Sequence, residues 1–101
     1  MMSYKIAPLM AELSSSATWL FWTLMRKRDV ETNIALLSKS SLSVAEYSRV
    51  RVGLAALEQL KLCKRIRQNT YMFNPDFVIP KTGYLQVRKA YELQTEDLHC
   101  V

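Results

Sequence analysis

The chain has 101 residues, half of them apolar and 23% charged, with only two glycines and three prolines. That length organises one core, residues 1–101 as a single domain, and the composition excludes a disordered tail or a low-complexity linker. The net charge of +5 is concentrated, because Arg49, Arg51, Lys61, Lys64, Arg65 and Arg67 against the single acid Glu58 carry all of it and the rest of the chain sums to zero.

Residues 1–13 are weakly patterned, with Ile6, Leu9, Met10 and Leu13 at helical spacing, and read as an N-terminal arm or a short helix. Lys5 precedes a stretch broken by Pro8 and Glu12 with no small-residue cleavage site after it, so no secretory signal is expected. Ser14, Ser15 and Ser16 offer a cap for a helix over residues 17–28, apolar on nearly every face and closed by Arg26, Lys27 and Arg28, which suit the negative end of the helix dipole. Trp19, Phe21 and Trp22 in this helix read as core or as a dimer seam. Residues 17–25 form the longest apolar stretch, far short of the roughly 20 residues that span a bilayer. No membrane crossing is expected. Two cysteines, Cys63 and Cys100, are fewer than disulfide-dependent small domains carry, which fits a reducing, cytoplasmic location.

Residues 33–38 are an apolar run too short to type by period, either a first strand or the start of a short helix. The serines between 38 and 43 read as a turn. Ser43 and Glu46 then form an S-x-x-E capping box, and Val44, Tyr47, Val50, Leu54, Leu57 and Lys61 make one stripe along a helix of roughly 19 residues. Gly53 inside it is unfavourable for a helix, which a close approach by another element would rationalise.

Residues 62–67 and 70–74 alternate as two strands joined at Gln68 and Asn69, a hairpin. Leu62, Lys64 and Ile66 point one way and Cys63, Arg65 and Arg67 the other, so basic residues are expected to be exposed. Cys63 reads as a small half-buried residue and not as a redox switch. Pro75 ends the second strand. A last helix over residues 84–93 carries Tyr84, Val87 and Tyr91 on one side and Arg88, Lys89 and Glu92 on another, and residues 95–101 read as a frayed tail.

Catalysis is poorly supplied. The only histidine, His99, lies two residues from the end; no cysteine or histidine pair has metal-ligand spacing; and neither glycine opens a phosphate loop. No enzyme activity, metal or cofactor is expected. The element order, a capped helix, a short strand and a basic hairpin within about 35 residues, describes an α+β, mainly α winged helix-turn-helix with a two- or three-stranded wing sheet and a C-terminal helix. In that arrangement one helix enters the major groove of double-stranded DNA and the hairpin lies along the backbone. Ser43, Glu46, Tyr47, Arg49 and Arg51 are then placed toward base edges, and Lys64, Arg65, Arg67, Gln68 and Asn69 toward phosphates. A homodimer through the aromatic-rich or the C-terminal helix is expected, because one helix reads few base pairs. The alternative is a protein-interaction module of the same fold that binds no nucleic acid.

The stretch LEQLKLCKRIRQNTYMFNPDFV, residues 57–78, resembles the winged-helix region of RepL-type bacterial plasmid replication proteins. The likeness rests on a Leu-x-x-Leu helix end, a strand, a basic turn, and a Tyr-Met-x-Asn-Pro segment, here Tyr71, Met72, Phe73, Asn74 and Pro75. The resemblance implies a plasmid- or phage-borne DNA-binding protein acting in replication or its control, partition or transcriptional regulation. The chain departs from the motif between Asn33 and Ser43, which is short for a complete first helix of a helix-turn-helix.

Overall fold

A computed structural model describes residues 2–94. The elements are α1 (Ile6–Met10), α2 (Ser15–Lys27), β1 (Ile34–Leu36), α3 (Val44–Gln59), β2 (Cys63–Arg67), β3 (Thr70–Phe73) and α4 (Tyr84–Leu93), with one turn of 3-10 helix at Lys39–Ser41 before α3. The tail beyond Gln94, with His99 and Cys100, lies outside the described residues. No helix among the described residues is long and apolar enough to cross a membrane.

Local signals set the helix ends. The Ser14 side chain accepts from the Ala17 amide at 3.2 Å and starts α2. Ser43 and Glu46 close the capping box of α3 in both directions, at 3.1 and 3.0 Å. At its other end the helix stops in a Schellman motif: the Leu62 amide reaches Leu57 O, the Lys61 amide reaches Glu58 O, and Lys61 takes a φ of 61°. The helix is therefore shorter than the periodicity suggested, and Lys61 lies beyond it. Val44, assigned to the apolar stripe, is 90% exposed, while Val50, Leu54 and Leu57 are buried as expected.

The open segment after α2 is a strand. The three strands form an antiparallel sheet in the order β1-β3-β2, with Ile34 opposite Met72, Ala35 opposite Tyr71 and Cys63 opposite Phe73. Alternation divides the central strand between two sides. Tyr71, Phe73, Ala35 and Cys63 join Leu20, Phe21, Leu24, Val50 and Leu57 in the main core under α2 and α3. Met72, with Ile34 and Ile66, meets Val87 and Tyr91 of α4. The result is three layers, α2 with α3, then the sheet, then α4. Gly53 is where the first layer closes: a Cβ there would sit 2.7 Å from the Ser16 carbonyl oxygen of α2.

Two polar residues organise the end of the sheet where α2 hands over to β1. Asn33, fully buried at a φ of 63°, donates from Nδ2 to Val78 O at 2.7 Å and accepts from Arg28 Nη1 at 2.6 Å. Its backbone amide donates to Asp29 O and its carbonyl accepts from the Phe73 amide. Asn74 serves the neighbouring corner, donating to Lys61 O at 3.0 Å and accepting from the Asp76 amide at 2.9 Å. The Asn-Pro segment thus ties the end of β3 to the end of α3.

Both sides of the sheet being covered corrects, for Lys64 and Arg65, the expectation that the hairpin leaves its basic residues in solvent, while Arg67 is exposed as expected. Arg65 is only 5% exposed. The aromatic-rich helix is mainly core: Phe21 is fully buried, edge-on to Phe73 with ring centroids 5.5 Å apart, whereas Trp22 is 40% exposed.

Candidate nucleic-acid interface

An α-helix advances 100° per residue, so burial along α3 sorts its positions around the axis. Val50, Gly53, Leu54 and Leu57 face the core. Val44, Ala45, Ser48, Arg51, Val52, Ala55 and Gln59 are exposed and fall within an arc of about 120° on the far side. The arc includes one base and no acid. Its small side chains leave the helix backbone close to whatever lies against it.

The hairpin tip is tied to the segment that leads into α3. After the turn at Lys61 the chain returns along β2, and the Asn69 carbonyl accepts from the Leu37 amide at 2.9 Å, six residues before the Ser43 cap. Arg67 and Gln68 are exposed at the tip, and Asn69 supplies the turn with a φ of 60°. Arg51 lies on the edge of the α3 arc nearest the hairpin, the flank it shares with Glu58, whose carboxylate accepts from the Arg65 amide of β2.

The ten residues singled out by sequence divide into two groups. Arg51, Arg67 and Gln68 are exposed, and Asn69 shapes the turn beside them. The others are engaged by partners within the protein, Ser43 while remaining exposed. The Ser43 and Glu46 side chains each accept from the other's backbone amide in the capping box. Tyr47 is half-buried, close enough to Tyr71 to act on its ionisation. Arg49 turns toward α2, its guanidinium 4.4 Å from the centroid of the Trp19 ring. Lys64 reaches across to α4, where Nζ donates to the carbonyls of Tyr91 and Gln94, the latter at 2.9 Å, and lies 4.0 Å from the centroid of the Tyr91 ring. A cation over the last carbonyls of a helix is a favourable C-terminal partner.

Arg65 is the deepest of these cations. Its backbone amide donates to Glu58 Oε2 at 3.2 Å and its Nε to Arg67 O at 3.4 Å. Burial pushes the Tyr71 phenol above its ordinary pKa while the nearby Arg65 charge pulls it down.

Sequence reasoning passed over Val44, Ala45, Ser48, Val52 and Lys61, all exposed. A helical wheel anchored on Val50, Gly53, Leu54 and Leu57 would have found the first four, since they lie opposite that core. Among the described residues no group of three His, Cys, Asp or Glu side chains is placed to hold a metal ion. Comparison with protein-family models, curated sequences and solved structures returns no match for this chain.

Proposed function

We propose that the protein binds double-stranded DNA as a winged helix, with α3 in the major groove and the β2–β3 tip against the adjoining phosphates. The observation that carries the reading is the acid-free exposed arc of α3 together with a hairpin tip that presents Arg67 and Gln68 and is hydrogen-bonded to the segment leading into that helix. A helix of this width fits the major groove, which is about 12 Å across. The contact set is narrower than the sequence implied: Arg51 toward bases, Arg67, Gln68 and the exposed Lys61 toward phosphates. The single 3-10 turn at Lys39–Ser41 stands where a full first helix of a helix-turn-helix would be. The resemblance of residues 57–78 to RepL-type proteins supports a role in plasmid replication or its control.

A two-fold dimer belongs to this proposal, because one helix reads few base pairs and a second copy doubles the site. α4 suits the seam better than α2. It lies on the opposite side of the sheet from α3 and exposes Leu85 and Leu93 at 78% and 74%. Sedimentation of the L85E/L93E double variant as a monomer, with the parent a dimer, is the expected result.

Fluorescence anisotropy with a labelled random duplex at low salt tests the central reading. The parent is expected to bind, and the R51A/R67A double variant to bind at least tenfold more weakly while melting at the same temperature. Absence of any binding by the parent at low salt would leave a protein-docking module as the remaining reading.

A further inference from the structure

The side chains on the exposed arc of α3 constrain what a helix lying in a groove can recognise. Over its first turns the arc carries Val44, Ala45, Ser48, Arg51 and Val52, with Val44 90% and Val52 58% exposed. Between Val44 and Val52 it carries no Asn or Gln, the residues that pair with adenine through two hydrogen bonds, and no Asp or Glu to accept from cytosine; the one amide of the arc, Gln59, stands at the far end of the helix. The major-groove features left for it to recognise are the thymine methyl group, by apolar contact, and guanine O6 and N7, by a guanidinium. Val44 to Val52 spans about 12 Å of helix axis, the length of three to four base pairs.

We infer that α3 selects its site through thymine methyl groups, met by Val44, Ala45 and Val52, and through one guanine held by Arg51. This rests on the duplex-binding reading above and adds to it the chemistry of the sequence read. Ser48, whose hydroxyl both donates and accepts, discriminates little. Arg49 takes no part, being held over Trp19. The preferred half-site is therefore thymine-rich over adjacent steps with a guanine on the hairpin side, where Arg51 stands.

The experiment begins by selecting bound sequences from a random duplex pool with the full chain. Each thymine of the selected duplex is then replaced by deoxyuridine, which deletes only the methyl group, and each guanine by 7-deazaguanine, which deletes only the N7 acceptor. Uracil is expected to weaken binding about fourfold at each contacted position, the value of burying one methyl-sized group. The penalty shrinks in V52A, which melts like the parent because Val52 is exposed. At one guanine the deaza base is expected to cost at least fivefold, and nothing further in R51A. Equal affinity for thymine and uracil duplexes, or a pool that yields no consensus while duplex is still bound, overturns this inference and leaves the duplex-binding reading standing. Failure to bind any duplex overturns both.

Discussion

Asn33 is a fully buried polar side chain that holds several segments together. Buried without exposure and held in the left-handed region, it joins Arg28 of the α2 exit to Val78 beyond the sheet, while its backbone meets Asp29 and Phe73. Asn tolerates this conformation because its short amide bonds locally, whereas Ala adopts it at a cost of about 1–2 kcal/mol. N33A adds the loss of the side-chain hydrogen bonds to Arg28, Val78 O and Phe73 O, so destabilisation of about 4 kcal/mol is expected in urea unfolding. N33G, which relieves only the backbone, should fall between N33A and the parent. Nothing in the sequence distinguished this Asn from a surface turn residue, because its partners lie as far along the chain as Val78. Lys64 and Arg65 were misread for a related reason. Alternation placed them on opposite sides of a strand, but a strand does not reveal what covers each side, and antiparallel sheets often leave one to water. Here α4 covers the Lys64 side and α2 with α3 cover the Arg65 side.

The elements themselves were far more legible. The Ser43–Glu46 box, the hairpin with its turn at Gln68 and Asn69, and the last helix at Tyr84–Leu93 follow from signals a few residues long, and the structure places each where local chemistry predicts. Gly53 shows where local preference yields to packing. Alanine there gains up to about 1 kcal/mol of helix propensity, yet its Cβ would stand 2.7 Å from a backbone oxygen of α2 that has no rotamer to move. G53A is accordingly expected to destabilise by about 1–3 kcal/mol, lowering the urea midpoint despite the better helix former. The docking of α4 is electrostatic as well as apolar. Asp76, after the sheet, accepts from the Tyr84 hydroxyl and from Arg88 Nη1. The Tyr84 hydrogen bond foremost, with Arg88, holds the Asp76 carboxyl below its ordinary pKa against the opposing effect of desolvation. A carboxylate with a depressed folded-state pKa stabilises the fold above its unfolded value, near 3.8, and that contribution disappears as the pH falls through the folded value. Far-UV circular dichroism during acid titration should show D76N with a flatter stability profile below about pH 4 than the parent, and a lower stability at neutral pH.

Taken together, the layers change how the charge of the molecule is used. Six cations lie in the basic stretch, but Arg49, Lys64 and Arg65 are turned to Trp19, α4 and the core side of the sheet. Arg51, Lys61 and Arg67 remain exposed. With Arg51 directed to a base, Lys61 and Arg67 are the phosphate-directed charges, and the slope of log affinity against log salt is expected near −2 per protomer, whereas six engaged cations would give about −5. Titration of a short duplex from 50 to 200 mM salt distinguishes the two, and a slope of −5 would mean that the buried cations come out on binding. R65A is expected to lower stability more than it lowers affinity, since it empties a buried site.

The Cys63 thiol, 1% exposed at the start of β2, sits where the sheet meets α3. A sulfur so placed reacts with an alkylating reagent only after the hairpin has lifted from the helices. In a C100S background its labelling rate becomes a clock for that opening, and a bound duplex that pins α3 and the tip together should slow it.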